Sequence, residues 1–175
     1  MTQNQRKIFY PTIFFLGIVS MIFQIQIFRN TIINWLIPAS ITIMIGLVSF
    51  LLDFKNYKQT YDYSGILLYI YSWMHYILGF GFIACSVFML TNYYFADQKT
   101  KKEYCKIIHR TWLPERAGKS GSEKQPVFII NYKGKKKELV FSSEYYKKMN
   151  SFSEIEFETR NGFLGFEILE NKKLK

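Results

Sequence analysis

The chain has 175 residues, a formal net charge of +10, and a hydrophobic fraction of 49%. Residues 1–95 carry five Lys or Arg and two Asp, whereas residues 96–175 carry 18 basic and 11 acidic side chains. This uneven distribution argues against one globular domain with a single core, and two cysteines are too few for a disulfide framework. It favours a membrane part followed by a small soluble part.

Three long runs without charged side chains fill the first 95 residues, at 8–28, 32–52 and 63–95. A helix rises about 1.5 Å per residue and bilayer hydrocarbon is about 30 Å thick, so about 20 apolar residues span it. Because backbone in lipid must satisfy its own hydrogen bonds, each run is predicted to be a helix. The predicted fold class is a membrane all-α domain of three transmembrane helices (residues 1–95), followed by a small mainly-β or α+β module.

The third run, at 33 residues, is long enough to raise an alternative. Reversal near Gly79 and Gly81 would give four short spans. We prefer three, because each arm would have only about 15 residues and the turn offers no polar side chain to water. Lys and Arg favour cytoplasmic flanks, and both arrangements then place the C-terminal module in the cytoplasm. The predicted location is the inner (plasma) membrane, with a multi-pass topology.

A group of basic side chains follows the third run. Anionic lipid headgroups attract each nearby Lys or Arg by about 1 kcal/mol, so the bilayer is an expected partner of this group. No nucleic-acid recognition motif accompanies it, and a nucleic-acid partner is not expected. The predicted headgroup-facing residues are Lys99, Lys101, Lys102, Lys106 and Arg110.

Residues 96–103 are predicted to be a juxtamembrane linker, and residues 104–175 a β-rich module of five strands and one short helix. Gly134 is expected to form one hairpin turn, and residues 161–162 (Asn-Gly) another of type I′. Ser142 and Ser143 are candidate caps for a helix that ends at Asn150. Alternation of apolar and other side chains places the strands at 104–112, 127–132, 138–141, 154–159 and 163–168.

Residues 114–125 are rich in Gly, Ser and charge and are predicted to be a loop. Within them, Gly118, Lys119 and Ser120 look like the end of a phosphate-binding loop. That motif requires Gly five residues before its last Gly, where this chain has Leu113. The segment is therefore interpreted as an ordinary loop.

The last 50 residues or so resemble a known kind of protein. The similarity lies in residues 133–135 (Lys-Gly-Lys), 145–146 (Tyr-Tyr) and 161–166 (Asn-Gly-Phe-Leu-Gly-Phe). Together they are similar to the C-terminal β module of uncharacterised small multi-pass bacterial membrane proteins. The resemblance implies a few hydrophobic helices before a short β domain, and it implies no activity, cofactor or catalytic residue.

His75 is the ionisable group deep in a predicted span, and such residues are candidates for function because burying them in lipid is costly. It could serve as a proton-sensitive or pore-facing group. The alternative is a neutral imidazole bonded to a hydroxyl on a neighbouring helix, for which Ser20, Ser40 and Thr42 are candidates.

Small residues recur at helical spacing along the second and third runs. Small side chains let helices approach closely in lipid, either within one chain or between copies. Both possibilities stay open at this stage. The helix-packing candidates are Thr42, Gly46, Ser49, Gly81 and Cys85.

The sequence predicts no catalytic set and no cofactor or metal site. His109 has only Cys105 near it, four residues away on a predicted strand, which does not fit a metal site. We therefore expect a non-catalytic integral membrane accessory or anchoring protein whose C-terminal module docks a partner or a second copy. The alternative is an oligomeric pore-forming or membrane-disrupting effector of antiphage type, gated by a signal bound at that module. A membrane enzyme using His75 is the third and least supported hypothesis.

Overall fold

A computed structural model describes residues 1–114 and 124–175, so nearly all of the loop predicted at residues 114–125 lies outside the described residues. The described residues form two compact units. The first contains Met1–Phe28 and Ile33–Tyr94 and is called the helical unit. The second contains Arg29–Ile32 and Phe95–Lys175 and is called the half-barrel unit. Residues Arg29–Ile32, which connect the first two helices, are called the connecting segment.

The helical unit confirms the prediction of three long apolar helices. Helix α1 spans Gln3–Asn30 and α2 spans Leu36–Thr60. The third helix consists of α3 (Gly65–Met74), a π-helical segment (His75–Gly81) and α4 (Phe82–Tyr94). Each of the three is long and apolar enough to cross a membrane.

The first two helices are longer than the apolar runs because polar residues extend their ends. At the start of α1, the N–H of Gln5 donates to Thr2 Oγ1 (3.3 Å) and the N–H of Thr2 donates to Gln5 Oε1 (2.8 Å). This reciprocal pair is a capping box, and it starts the helix five residues before the run. Helix α2 continues eight residues past Leu52, so Asp53 lies inside a helix rather than in a connection.

The third helix does not reverse at Gly79 and Gly81. It continues for 30 residues from Gly65 to Tyr94, so the four-span alternative is wrong. Its middle is a π-helix, in which hydrogen bonds close a wider turn than in an α-helix, and such turns are frequent at functional sites.

The half-barrel unit is built on one antiparallel sheet of five strands in the order β3-β2-β1-β4-β5. β1 is the 13-residue centre, and its two halves pair with β2 and β4. Buried side chains of β2, β3, β4 and β5 form one core. The strands are β1 (Lys101–Leu113), β2 (Gln125–Tyr132), β3 (Lys135–Val140), β4 (Glu154–Arg160) and β5 (Ile168–Leu174).

Most of the predicted strand order is confirmed, including the turn at Gly134, which has a φ of 79°. β4 also shows the predicted alternation, with Ile155 and Phe157 fully buried. β1 begins at Lys101, so the last three residues of the predicted linker belong to the strand.

The second predicted hairpin forms between β4 and β5, but its predicted turn and the predicted bounds of its last strand are wrong. Residues 161–167 form an irregular connection with positive φ at Gly165 rather than a two-residue Asn-Gly turn. The last strand is β5. Its centre, Glu-Asn-Lys-Lys, has no apolar side chain, so apolar alternation does not predict it. Its apolar ends account for its pairing, because Leu169 is buried in the core and Leu174 packs against it.

The predicted short helix is a 3-10 helix at Ser143–Ser151. Ser142 occupies the position before it without making a side-chain capping bond, so the predicted cap is wrong. The helix is instead held by Arg110 of β1, whose guanidinium donates to the carbonyl oxygens of Met149 (3.1 Å, from Nε) and Phe152.

The connecting segment is part of the half-barrel unit, which the sequence did not predict. Thr31 forms an antiparallel bridge with Ile168 at the start of β5, and the N–H of Ile32 donates to the carbonyl oxygen of Glu167 (2.7 Å). Ile32 joins the core of the sheet at 7% exposure. Burying a side chain of this size contributes about 1.5–3 kcal/mol, so the turn between α1 and α2 is anchored by the sheet.

Candidate functional site

A half-buried carboxylate joins the three helices of the helical unit. Asp53 Oδ2 on α2 accepts hydrogen bonds from the hydroxyls of Tyr10 on α1 (2.7 Å) and Tyr76 in the π-helical segment (3.0 Å). Its other oxygen accepts from Asn56 Nδ2 (2.7 Å). We call Tyr10, Asp53, Asn56 and Tyr76 the Asp53 cluster. Three donors satisfy the carboxylate, which is what a charge away from water requires.

His75 lies next to the Asp53 cluster, at the first residue of the π-helical segment. Its Nδ1 is 2.8 Å from the carbonyl oxygen of Tyr71 and 3.1 Å from the hydroxyl of Tyr57. A carbonyl can only accept, so Nδ1 carries a hydrogen and donates to Tyr71. The hydroxyl beside His75 is that of Tyr57 on α2, so the predicted candidates Ser20, Ser40 and Thr42 were wrong.

A cleft of about 360 Å³ opens beside the Asp53 cluster. Its polar lining includes Arg6 near the start of α1 and Ser49 on α2, and Phe9 and Phe80 supply apolar walls. A cleft with a carboxylate, an amide and two phenols offers hydrogen bonds to a small polar group.

Three of the predicted packing residues, Thr42, Gly46 and Gly81, lie where helices of this chain meet. A Cβ atom on Gly81 would stand 2.4 Å from the carbonyl oxygen of Thr42, and one on Gly46 would stand 2.9 Å from Ile77. Cys85 is buried and unoxidised, and Ser49 lines the cleft. The tightest approach is at Gly17, which was not among the predicted packing residues. A Cβ there would stand 2.0 Å from the carbonyl oxygen of Leu78.

The predicted headgroup-facing residues fall into two groups. Lys99, Lys101, Lys102 and Lys106 are exposed. Arg110 is not available to lipid headgroups in the same way, because its guanidinium donates to the carbonyl oxygens of Met149 and Phe152 and so holds the 3-10 helix. The register of β1 shifts between Ile107 and His109, and Arg110 pairs with the fully buried Phe128. Directly paired residues share a face, so the bulge turns Arg110 to the core side.

The outer face of β1 carries two large apolar side chains. Tyr104 and Ile108 are each 54% exposed on the central strand of the sheet. Lys175 lies 4.9 Å from the Tyr104 ring and also pairs with Glu156 on β4 (2.6 Å). This hydrogen bond with Lys175 lowers the pKa of Glu156, and it raises the pKa of Lys175. Exposed apolar groups beside fixed charges are a common feature of docking surfaces.

Asp53 and the connecting segment are the residues that sequence reasoning missed. Asp53 directly follows the second apolar run, and Asn56 and Tyr57 follow it at helical spacing. That spacing was the available signal. Across residues 1–114 and 124–175, there is no group of three or more His, Cys, Asp or Glu that could hold a metal ion.

No protein-family model, curated protein or solved structure matches this chain.

Proposed function

We propose that this protein is a non-catalytic integral membrane protein of the inner membrane that anchors and docks a protein partner through its half-barrel unit. The observation that carries the proposal is the pair of exposed apolar side chains, Tyr104 and Ile108, on a strand whose neighbours leave that face open.

The membrane part of the proposal is supported by which side chains the helices expose. Leu52 is 80% exposed and Phe23 is 75% exposed, in a unit that buries Gln24 and Asn92 almost completely. Water would oppose such a distribution and hydrocarbon would favour it. With three spans, the connecting segment and the half-barrel unit emerge on the same side. Basic residues around these two regions support a cytoplasmic half-barrel.

The test of docking is a photo-crosslinker placed at position 104 of the full-length chain in intact membranes. We expect one adduct of defined mass, and we expect Tyr104→Ser with Ile108→Ser to reduce recovery of that partner at least about tenfold. Phe163→Ser is the matched control, because Phe163 is also a large exposed side chain of the half-barrel unit, at 63%.

Two results would end the docking proposal. One is a chain that stays alone after gentle extraction and crosslinking. The other is equal loss of the partner with the control substitution, which would show that any apolar loss on this unit has the same effect. A reporter at Lys175 that is active only outside the cell would reverse the proposed orientation and would leave the docking proposal unchanged.

A second candidate function is supported by the connecting segment. Because Thr31 bridges to β5, Ile32 packs in the core of the half-barrel unit, and both lie directly between α1 and α2, a signal bound at the half-barrel unit has a short covalent route to two helices. This route suits an oligomeric pore or a membrane-disrupting effector that is gated by such a signal. An analogy of architecture supports coupling between the half-barrel unit and the helices, and it supports no particular chemical reaction.

The mass of the detergent-solubilised protein separates the two candidates. A gated pore requires a homo-oligomer large enough to enclose a path, together with dye leakage from vesicles or cells. The anchoring proposal requires a stoichiometric complex with a different protein and intact vesicles. A monomer that causes no leakage would remove the pore.

A further inference from the structure

Three positive side chains lie on the connecting segment or bond to it in the half-barrel unit. Lys137 Nζ on β3 donates to the carbonyl oxygen of Thr31 (2.7 Å), and Lys172 Nζ on β5 donates to Asn30 Oδ1 (2.7 Å). Arg29 is the exposed basic residue in the last turn of α1. β3 and β5 are the opposite edges of the sheet, so the curved sheet and the connecting segment gather charges that are far apart in sequence.

The local charge is more positive than the helix end requires. A helix C-terminus carries the equivalent of about half a negative charge, which one basic side chain already balances. Burial, followed by the charge of Lys172, lowers the pKa of Lys137 to about 8, and Glu138 opposes this effect. Burial and the charge of Arg29 lower the pKa of Lys172 as well.

Glu138 follows Lys137 on β3, and successive side chains of a strand point to opposite faces of the sheet. Two other acids near the connecting segment are engaged with other basic residues. Glu167 pairs with Lys133, which raises the pKa of that lysine. Glu170 on β5 pairs with Arg160 on β4 (2.9 Å). These pairs direct the nearby carboxylates toward other parts of the sheet.

We propose that Arg29, Lys137 and Lys172 form a binding site for a phosphate group. A guanidinium presents paired donors that match two phosphate oxygens, and a lysine ammonium supplies a compact charge with three donors. At Lys172, the bond to Asn30 uses one of these three donors. A phosphate therefore completes the site by balancing its charge while the bonds to the connecting segment remain.

Two sources could supply this phosphate. Arg29 lies where α1 ends, which is headgroup level if α1 spans the bilayer, so an anionic phospholipid fits the position. A soluble phosphate compound offers the same group from the aqueous side. The site does not depend on whether the outer face of β1 docks a protein.

The experiment uses the full-length chain in a neutral detergent and has two arms. In the first, native mass spectrometry measures retention of phosphatidylglycerol against phosphatidylcholine. In the second, equilibrium dialysis measures binding of radiolabelled inorganic phosphate at constant ionic strength. The variant is Lys137→Gln with Lys172→Gln. Its control is Lys136→Gln with Lys173→Gln, which makes the same charge change at adjacent exposed positions of the same two strands.

We expect one phosphate group per chain, a loss of at least about tenfold in affinity with the first pair, and a change within about twofold with the control pair. Retention of phosphatidylglycerol alone identifies a lipid, and binding in the dialysis arm identifies a soluble phosphate compound. Lys137→Arg with Lys172→Arg should keep binding, because it preserves both charges. The proposal is overturned if neither arm shows one-to-one binding, if the two glutamine pairs act equally, or if the arginine pair fails like the glutamine pair.

Discussion

The two units of this molecule place their side chains in opposite ways. In the helical unit, Leu52 and Phe23 are among the most exposed side chains, whereas Gln24 is 2% exposed. In the half-barrel unit, Phe128 and Ile130 are fully buried, and lysines occupy its surface. The helical unit therefore has an apolar exterior with polar contacts inside. The half-barrel unit has an apolar core and a polar exterior.

The difference shows how the surrounding medium decides what stabilises each unit. In the half-barrel unit, removal of apolar surface from water supplies the driving force. In hydrocarbon that force is missing between helices, so close packing and interhelical hydrogen bonds must replace it. In the helical unit, the glycine contacts provide the close packing and the Asp53 cluster provides the interhelical hydrogen bonds.

The strongest disruption is expected where α1 meets the third helix. Gly17→Leu would place a side chain on the backbone oxygens of Leu78 and Gly79, which a Cβ would already approach to 2.0 and 2.7 Å. We expect a loss of about 3 kcal/mol or more. The measurement is unfolding of the detergent-solubilised chain by sodium dodecyl sulfate. Val19→Leu, at an exposed position of the same helix, should be neutral, and equal effects of the two would contradict close packing.

The next largest effect is expected at the connecting segment. Ile32→Ala removes a side chain from the core of the half-barrel unit and should cost about 3 kcal/mol. Hydrogen exchange of the full-length chain can follow each unit separately. Faster exchange in β5 and its neighbours is expected, whereas Ile108→Ala, at an exposed position, should leave exchange unchanged. Unchanged exchange in Ile32→Ala would show that the segment does not anchor the sheet.

A smaller effect is expected from the Asp53 cluster. Asp53→Leu leaves the hydroxyls of Tyr10 and Tyr76 without their acceptor, at a cost of about 2 kcal/mol. Asp53→Asn keeps an acceptor oxygen and should cost less. Detergent unfolding checks both, with Asp62→Leu in the exposed α2–α3 connection as the matched control. Greater stability of Asp53→Leu would mean that burying the charge outweighs its bonds.

The smallest effect is a pH dependence of the half-barrel unit in the absence of phosphate. The pKa of Lys137 is about 8 in the folded chain and about 10.4 when unfolded. Between these values the unfolded chain holds a proton that the folded chain has lost, so the free energy of unfolding rises with pH across this window.

We expect a rise of about 1 kcal/mol, given the partial exposure of this side chain. Hydrogen exchange at pH 8 and 10 measures it after correction for intrinsic rates. Lys137→Gln should reduce the rise, and Lys136→Gln should preserve it. An identical rise in both variants would assign it to other groups, of which Lys172 is the nearest with a lowered pKa.

The sequence by itself determined the three apolar helices, the strand order and the turn at Gly134, because each depends on local pattern or local backbone preference. Tertiary structure alone decided the position of β5, the hydrogen bonds of Asp53 and the partner of His75. It also decided the bridge from Thr31 to β5 and the packing of Ile32 in the core. β5 is polar at its centre and is defined by pairing with β4, which no local pattern encodes. The hydrogen bonds of Asp53 to Tyr10 and Tyr76 and the contacts of Ile32 join residues distant in sequence, so they exist only once the chain has folded.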